Sequence, residues 1–75
     1  GTGGGLTAPM PGKIIAVMAK AGQSVTAGDK LVVMEAMKME HTISAPVTGT
    51  IKEVFFGVGD QVDDGAELIA IEEAE

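Results

Sequence analysis

Lys38 stands between Met37 and Met39, and Met34 lies three residues before the first of these, all inside the stretch LVVMEAMKMEHTI that runs from Leu31 to Ile43. With only five methionines and five lysines in 75 residues, so tight a cluster needs a reason in packing or in chemistry. Among these side chains a lysine amine can act as a nucleophile, but a lone nucleophilic lysine needs an enclosing pocket, which so short a chain hardly supplies. His41 is the only histidine, so it has no companion for a catalytic dyad or a metal site and is expected to be structural or superficial. The chain has no cysteine, which excludes disulfides, thiolate metal sites and a thiol nucleophile. It contains no Ser-His-Asp set and no phosphate-binding loop, so an enzyme acting by itself is poorly provided for. A plainer reading stands beside the chemical one: lysines on turns mostly carry charge into solvent, and methionines mostly fill irregular gaps in a core.

The length fits one small domain with a single core. Hydrophobic residues make up 45%, and the only aromatic residues are Phe55 and Phe56. Stability must therefore come from aliphatic packing and backbone hydrogen bonds. Eleven acidic groups against five lysines and no arginine give a formal charge of -6. Nothing basic is available to track phosphates, so nucleic acid is not expected as a partner, and the same balance argues against anionic membranes. No apolar run approaches the length of a membrane span, and no signal peptide is visible. The opening GTGGGL, without an initiator methionine, reads as the end of a flexible linker over residues 1–5, with the domain over 6–75. The chain is expected to be a piece of a longer protein.

Sliding the sequence by 37 residues aligns two halves without a gap, Ala8–Glu35 on Ala45–Glu72. Ten of the 28 aligned positions are identical, among them Gly12/Gly49, Ile14/Ile51, Val25/Val62, Leu31/Leu68 and Glu35/Glu72. Two copies are too few for a solenoid and point to one core built from similar halves. The matched glycines read as turn residues supplying positive φ, and the short apolar runs between them read as strands. Strands are expected near 6–8, 13–18, 24–26, 30–36, 39–44, 50–56, 61–63 and 67–72, an all-β domain with about four strands per half. One segment competes. VVMEAMKMEH is made of good helix formers, but residues 30–35 align with the β-branched run ELIAIE, and that alignment favours strand.

Ala36–Ser44 falls between the halves. If the strands on either side pair through a two-residue loop at Met37-Lys38, Leu31–Ala36 runs beside Met39–Ser44. Val32, Met34, Ala36, Met39, His41 and Ile43 then share one face, and Glu35 faces Glu40. Two local rules are broken, since such loops favour Asn-Gly and facing carboxylates repel. Violations of this kind tend to mark functional positions, because something other than stability retains them.

The segment EAMKME, Glu35 to Glu40, resembles the biotin-attachment motif of biotin carboxyl carrier domains. The likeness runs from Leu6 to about Glu72 and includes APMPG before the motif and APVTG after it. The continuation MEHTISAP is similar to the biotin-carrying subunits of acyl-CoA carboxylases, most of all the methylcrotonyl-CoA type. The resemblance implies a flattened β-barrel, or barrel-sandwich hybrid, of two four-stranded antiparallel sheets related by a pseudo-twofold axis. The gapless match of VMAKAGQSV with VFFGVGDQV leaves no room for the "thumb" insertion of some acetyl-CoA carboxylase carriers. Carried onto this chain, the family implies that Lys38 is acylated by a biotin protein ligase through biotinyl-adenylate, taking the formal charge from -6 to -7. Covalent biotin on Lys38 would carry a carboxyl group from a biotin carboxylase site, which uses ATP and bicarbonate, to a carboxyltransferase site acting on an acyl-CoA. Around Lys38, Glu35, Ala36, Met37, Met39 and Glu40 would form a recognition flank. In it the resemblance implies that the methionines serve the carboxylase machinery, and by charge complementarity the two glutamates are expected to help the ligase dock or to orient the amine. The isolated domain would be a monomer without catalysis of its own, from a parent enzyme of the bacterial cytoplasm or the mitochondrial matrix. Lipoyl domains share the fold and the hairpin lysine, but their usual DKA neighbourhood differs from the methionines here. A purely structural module is the remaining alternative.

Overall fold

A computed structural model describes residues 4–74, and every regular element among them is a strand. The strands are β1 (Gly4–Thr7), β2 (Gly12–Val17), β3 (Ser24–Val25), β4 (Lys30–Ala36), β5 (Met39–Ser44), β6 (Gly49–Val54), β7 (Gln61–Val62) and β8 (Glu67–Glu73). They form two four-stranded antiparallel sheets, ordered β1-β8-β6-β3 and β5-β4-β2-β7. The fold is the expected barrel-sandwich hybrid, and the segment rich in helix formers is strand and turn. Of the expected linker, residues 1–3 lie outside the described residues, whereas Gly4 and Gly5 already pair with Ile71 and Ala70 of β8. At the other extreme, β6 ends at Val54 rather than running on through Phe56. Its twin β2 likewise ends at Val17, and the N–H groups of Met18 and Phe55 donate to the carbonyls of Leu31 and Leu68.

The pseudo-twofold symmetry extends to individual hydrogen bonds. The 37-residue shift carries β2, β3 and β4 onto β6, β7 and β8, and it maps one sheet order onto the other. Each sheet therefore takes strands from both halves, with β3 lying on β6 and β7 on β2. Gly22 donates to the Ile51 carbonyl at 2.8 Å, and its counterpart Gly59 donates to that of Ile14 at 2.7 Å. Gly22, Gly28, Gly59 and Gly65 all adopt positive φ, as turn glycines should.

Among the described residues the core is entirely apolar, and most of its members come in symmetric pairs, among them Ile14 with Ile51, Leu31 with Leu68, Val32 with Ile69 and Met34 with Ile71. Leu31 and Val32 are neighbours on one strand yet both are buried, which plain alternation forbids. A bulge explains it. The β4–β5 register passes from Lys30↔Ser44 to Val32↔Ile43 and leaves Leu31 without a partner on β5. The extra residue swings both side chains inward, and β1–β8 repeats the device around Leu68.

Candidate functional site

From Val32 outward the β4–β5 ladder is regular: Val32 faces Ile43, Val33 faces Thr42, Met34 faces His41, Glu35 faces Glu40 and Ala36 faces Met39. Two residues remain for the loop, Met37 at φ 54° and Lys38 at φ 65°. This is the left-handed pair that a tight hairpin needs to match the strand twist, and these are the only non-glycine residues with positive φ among the described residues. Holding an ordinary side chain there costs roughly 1–2 kcal/mol per residue.

The hairpin stands on a firm base. Met34 is fully buried, at 0% exposure, and Ala36 is buried one pleat further out. Beneath them runs Gly12 at the start of β2. A Cβ at Gly12 would lie 2.5 Å from the Glu35 carbonyl oxygen, 2.7 Å from Met34 Cε and 3.0 Å from Ala36 Cβ. Gly12 thus lets β2 press directly against the root of the hairpin, and its twin Gly49 makes the same kind of approach to Glu72. Both lie in strands, so the expectation that all the matched glycines serve turns is corrected for this pair. Close backbone approach, not positive φ, is what excludes a side chain here.

Beyond Ala36 the surroundings change. Met37 is 84% exposed and Met39 62%, while Glu35, Lys38 and Glu40 are all exposed. Met39 therefore leaves the apolar face it shares by register with Met34 and Ala36. The side-chain hydrogen bonds among the described residues come from Gln23, Asp29, Thr48 and Asp60 at turns, and none engages Lys38. The Lys38 amine is thus presented to solvent at the tip of a stiff post. In backbone register Glu35 lies between Lys13 of β2 and Glu40 of β5. His41 is partly buried opposite Met34, and its Nε2 is buried without a protein hydrogen-bond partner. No group of three or more metal-ligating side chains occurs among the described residues.

All five lysines are exposed, and Lys38 is set apart from the others by its place at the tip of the hairpin with positive φ, on a symmetric β-domain. The family model described as "Biotin-requiring enzyme" matches residues 5–71. The chain belongs to this family. It is 57% identical over its whole length to the mitochondrial methylcrotonoyl-CoA carboxylase subunit alpha of Rattus norvegicus, covering 10% of that protein. It is 48% identical to pyruvate carboxylase of Bacillus subtilis over 92% of the chain and 6% of that enzyme. Against the biotin carboxyl carrier protein of acetyl-CoA carboxylase from Solanum lycopersicum, identity is 40% over 93% of the chain and 100% of the relative. Among solved structures, a single-chain, multi-domain long-chain acyl-CoA carboxylase superposes with a TM-score of 0.89 at 33% identity, over 97% of this chain and 7% of that one. The chain thus spans about a tenth or less of the long relatives and the whole of the tomato carrier.

Proposed function

We propose that this chain is a biotin carboxyl carrier domain whose Lys38 holds the cofactor covalently and carries it between two active sites of a biotin-dependent carboxylase. The observation that carries the assignment to Lys38 is its place at the tip of a two-residue hairpin, exposed and free of side-chain hydrogen bonds among the described residues. The fit to biotin is chemical. A primary amine that no side-chain hydrogen bond engages among the described residues is what an amide-forming ligase needs, and a guanidinium could not replace it. As the neutral amine, Lys38 Nζ attacks the activated carboxyl carbon of biotinyl-adenylate. A C–N bond forms, the C–O bond to AMP breaks, and the amine proton passes to a base of the ligase or to water. Bound there, biotin supplies the ureido nitrogen that accepts a carboxyl group and gives it up again.

The remaining work belongs to the protein. The bulged, glycine-wedged hairpin fixes the direction in which Lys38 leaves the barrel, and tethering raises the local concentration of the cofactor at each site. Met37 and Met39 offer apolar contact to the carboxylase partners, and Glu35 and Glu40 give the ligase an acidic mark to dock on. The partners are a biotin protein ligase and the biotin carboxylase and carboxyltransferase parts of the parent enzyme. High identity to the rat subunit supports a methylcrotonyl-CoA carboxylase as that parent. Its relatives include mitochondrial and bacterial carboxylases, so the mitochondrial matrix or a bacterial cytoplasm is the proposed compartment. With an apolar core sealed inside and a net charge of -6, the isolated chain is proposed to be a monomer.

The test is incubation with biotin, ATP, magnesium and a biotin protein ligase, read by intact mass and peptide mapping. One added biotin on Lys38, absent from Lys38→Arg, is the expected result. Modification by a lipoate ligase alone would move the chain to the lipoyl side of the family.

A further inference from the structure

We propose that the hairpin tip is also a redox-sensitive modification site, at which hydroperoxides convert Met37 and Met39 to sulfoxides and reversibly take the carrier out of use. The proposal rests on the carrier reading for its consequence but not for its chemistry.

The five methionines fall into two sets. Met10, Met18 and Met34 align under the 37-residue shift with Val47, Phe55 and Ile71, so each has an apolar counterpart in the other half and serves the fold. Met34 is completely buried, Met10 is partly buried against the core, and Met18 is 43% exposed. Met37 and Met39 lie outside both aligned segments and are the most exposed of the five, at 84% and 62%. Neither is needed to fill space, and Met37 occupies a left-handed position that suits glycine or asparagine better. Their thioethers are therefore placed for contact with something outside the domain, and equally for contact with a dissolved oxidant.

The chemistry is simple and balanced. The thioether sulfur attacks one oxygen of the hydroperoxide, an S–O bond forms, the O–O bond breaks, and water or an alcohol leaves. Sulfur is oxidised by two electrons and the peroxide is reduced. A flexible apolar side chain becomes a polar, chiral one, and methionine sulfoxide reductases reverse the change at the expense of thiols. At the tip this replaces the apolar flanks of Lys38 with two strong acceptors that an apolar partner surface cannot satisfy. The core methionine is shielded, so the tip changes while the barrel persists. That separation makes the site a switch rather than a route to unfolding.

The test begins with the full 75-residue chain exposed to graded hydrogen peroxide, quenched with catalase and mapped by peptide mass. Met37 and Met39 should oxidise before Met18, with Met34 untouched and the thermal transition unchanged. Oxidised and untreated chains are then compared as substrates of a biotin protein ligase and, once biotinylated, of a biotin carboxylase. The oxidised chain should lose roughly ten-fold in kcat/KM with at least one of them, the size of one polar group left unpaired at an interface. Methionine sulfoxide reductase with a dithiol should restore the rate. A Met37→Leu/Met39→Leu chain, whatever its own rate, should show no further loss after peroxide, whereas Met18→Leu should lose as much as the parent. Oxidation of Met18 first, or an oxidised tip used at the untreated rate, would overturn the proposal. Biotin failing to join the untreated chain would instead sink the carrier reading, since the order of methionine oxidation does not depend on it.

Discussion

Met34 and Met37 are three residues apart and do opposite work. Met34 sits where the other half of the repeat has Ile71, and both side chains are fully enclosed. Truncating either to alanine should lower the unfolding free energy by about 2–5 kcal/mol, the usual range for a large aliphatic side chain in a packed core. Chemical denaturation would measure it, and a loss below 1 kcal/mol would mean the site collapses around the gap. Met37 should behave in the reverse sense. Its backbone is held at φ 54°, where asparagine is tolerated far better. Met37→Asn should therefore stabilise the domain, by up to about 1 kcal/mol as part of the left-handed strain is relieved, while weakening its use by carboxylase partners. The cluster that stands out in the sequence thus divides at Ala36, with packing below it and exposure above. Composition could not locate that division, because a methionine reads the same on either side. The hairpin register and the aligned isoleucine locate it.

At the scale of the element, the hairpin is as much a product of β2 as of its own two strands. Its two-residue loop and cross-strand partners were legible from the position of the aligned halves, which leave only nine residues between them. The bulge at Leu31 was not, since no glycine or turn residue marks it and only the burial of two consecutive side chains gives it away. Gly12 was legible as a matched glycine but not as a wedge, because close backbone approach leaves no local sequence signal. The internal repeat offers a control for it. Gly12→Ala and Gly49→Ala each force a Cβ into a backbone carbonyl, at Glu35 and at Glu72, and both should destabilise the fold. Only Gly12→Ala displaces the base of Lys38, so only it should slow biotinylation of the folded fraction. Equal effects of the two substitutions on the ligase rate would mean that the hairpin needs no such support. The facing pair Glu35 and Glu40 makes a companion case. Glu40→Lys should stabilise the strand pair, by about 0.2–1 kcal/mol, while slowing the ligase. Faster or unchanged biotinylation would remove the acidic pair from recognition.

For the molecule as a whole, the repeat describes the sequence better than it describes the folding unit. A linear reading of two similar halves invites the picture of two small sheets, one from each half, packed together. The observed sheets are interleaved: β1 and β3 of the first half lie in the sheet that holds β6 and β8, and β7 of the second half lies on β2. Bonds across the halves also close the turns, as when Gly28 donates to the Ala45 carbonyl and Gly65 to that of Ala8. Neither half can therefore satisfy its own strand edges or bury its own side of the core, and chains this short have little burial to spare. Peptides spanning 1–37 and 38–75 should each lack stable strand structure by circular dichroism. The intact chain should unfold in one transition, with circular dichroism and amide resonances reporting the same midpoint. A half that folds alone would show that the interleaving is decoration. Lys38 lies at the joint where the chain passes from the first repeat to the second, and if the halves are interdependent its hairpin should form only when both are in place. An unfolded or half-folded chain then has no hairpin to offer, so modification at Lys38 would report on a complete domain. Ligase rates across the Met34→Ala and Gly49→Ala series should accordingly follow the folded fraction. A denatured chain biotinylated at the native rate would refute that link.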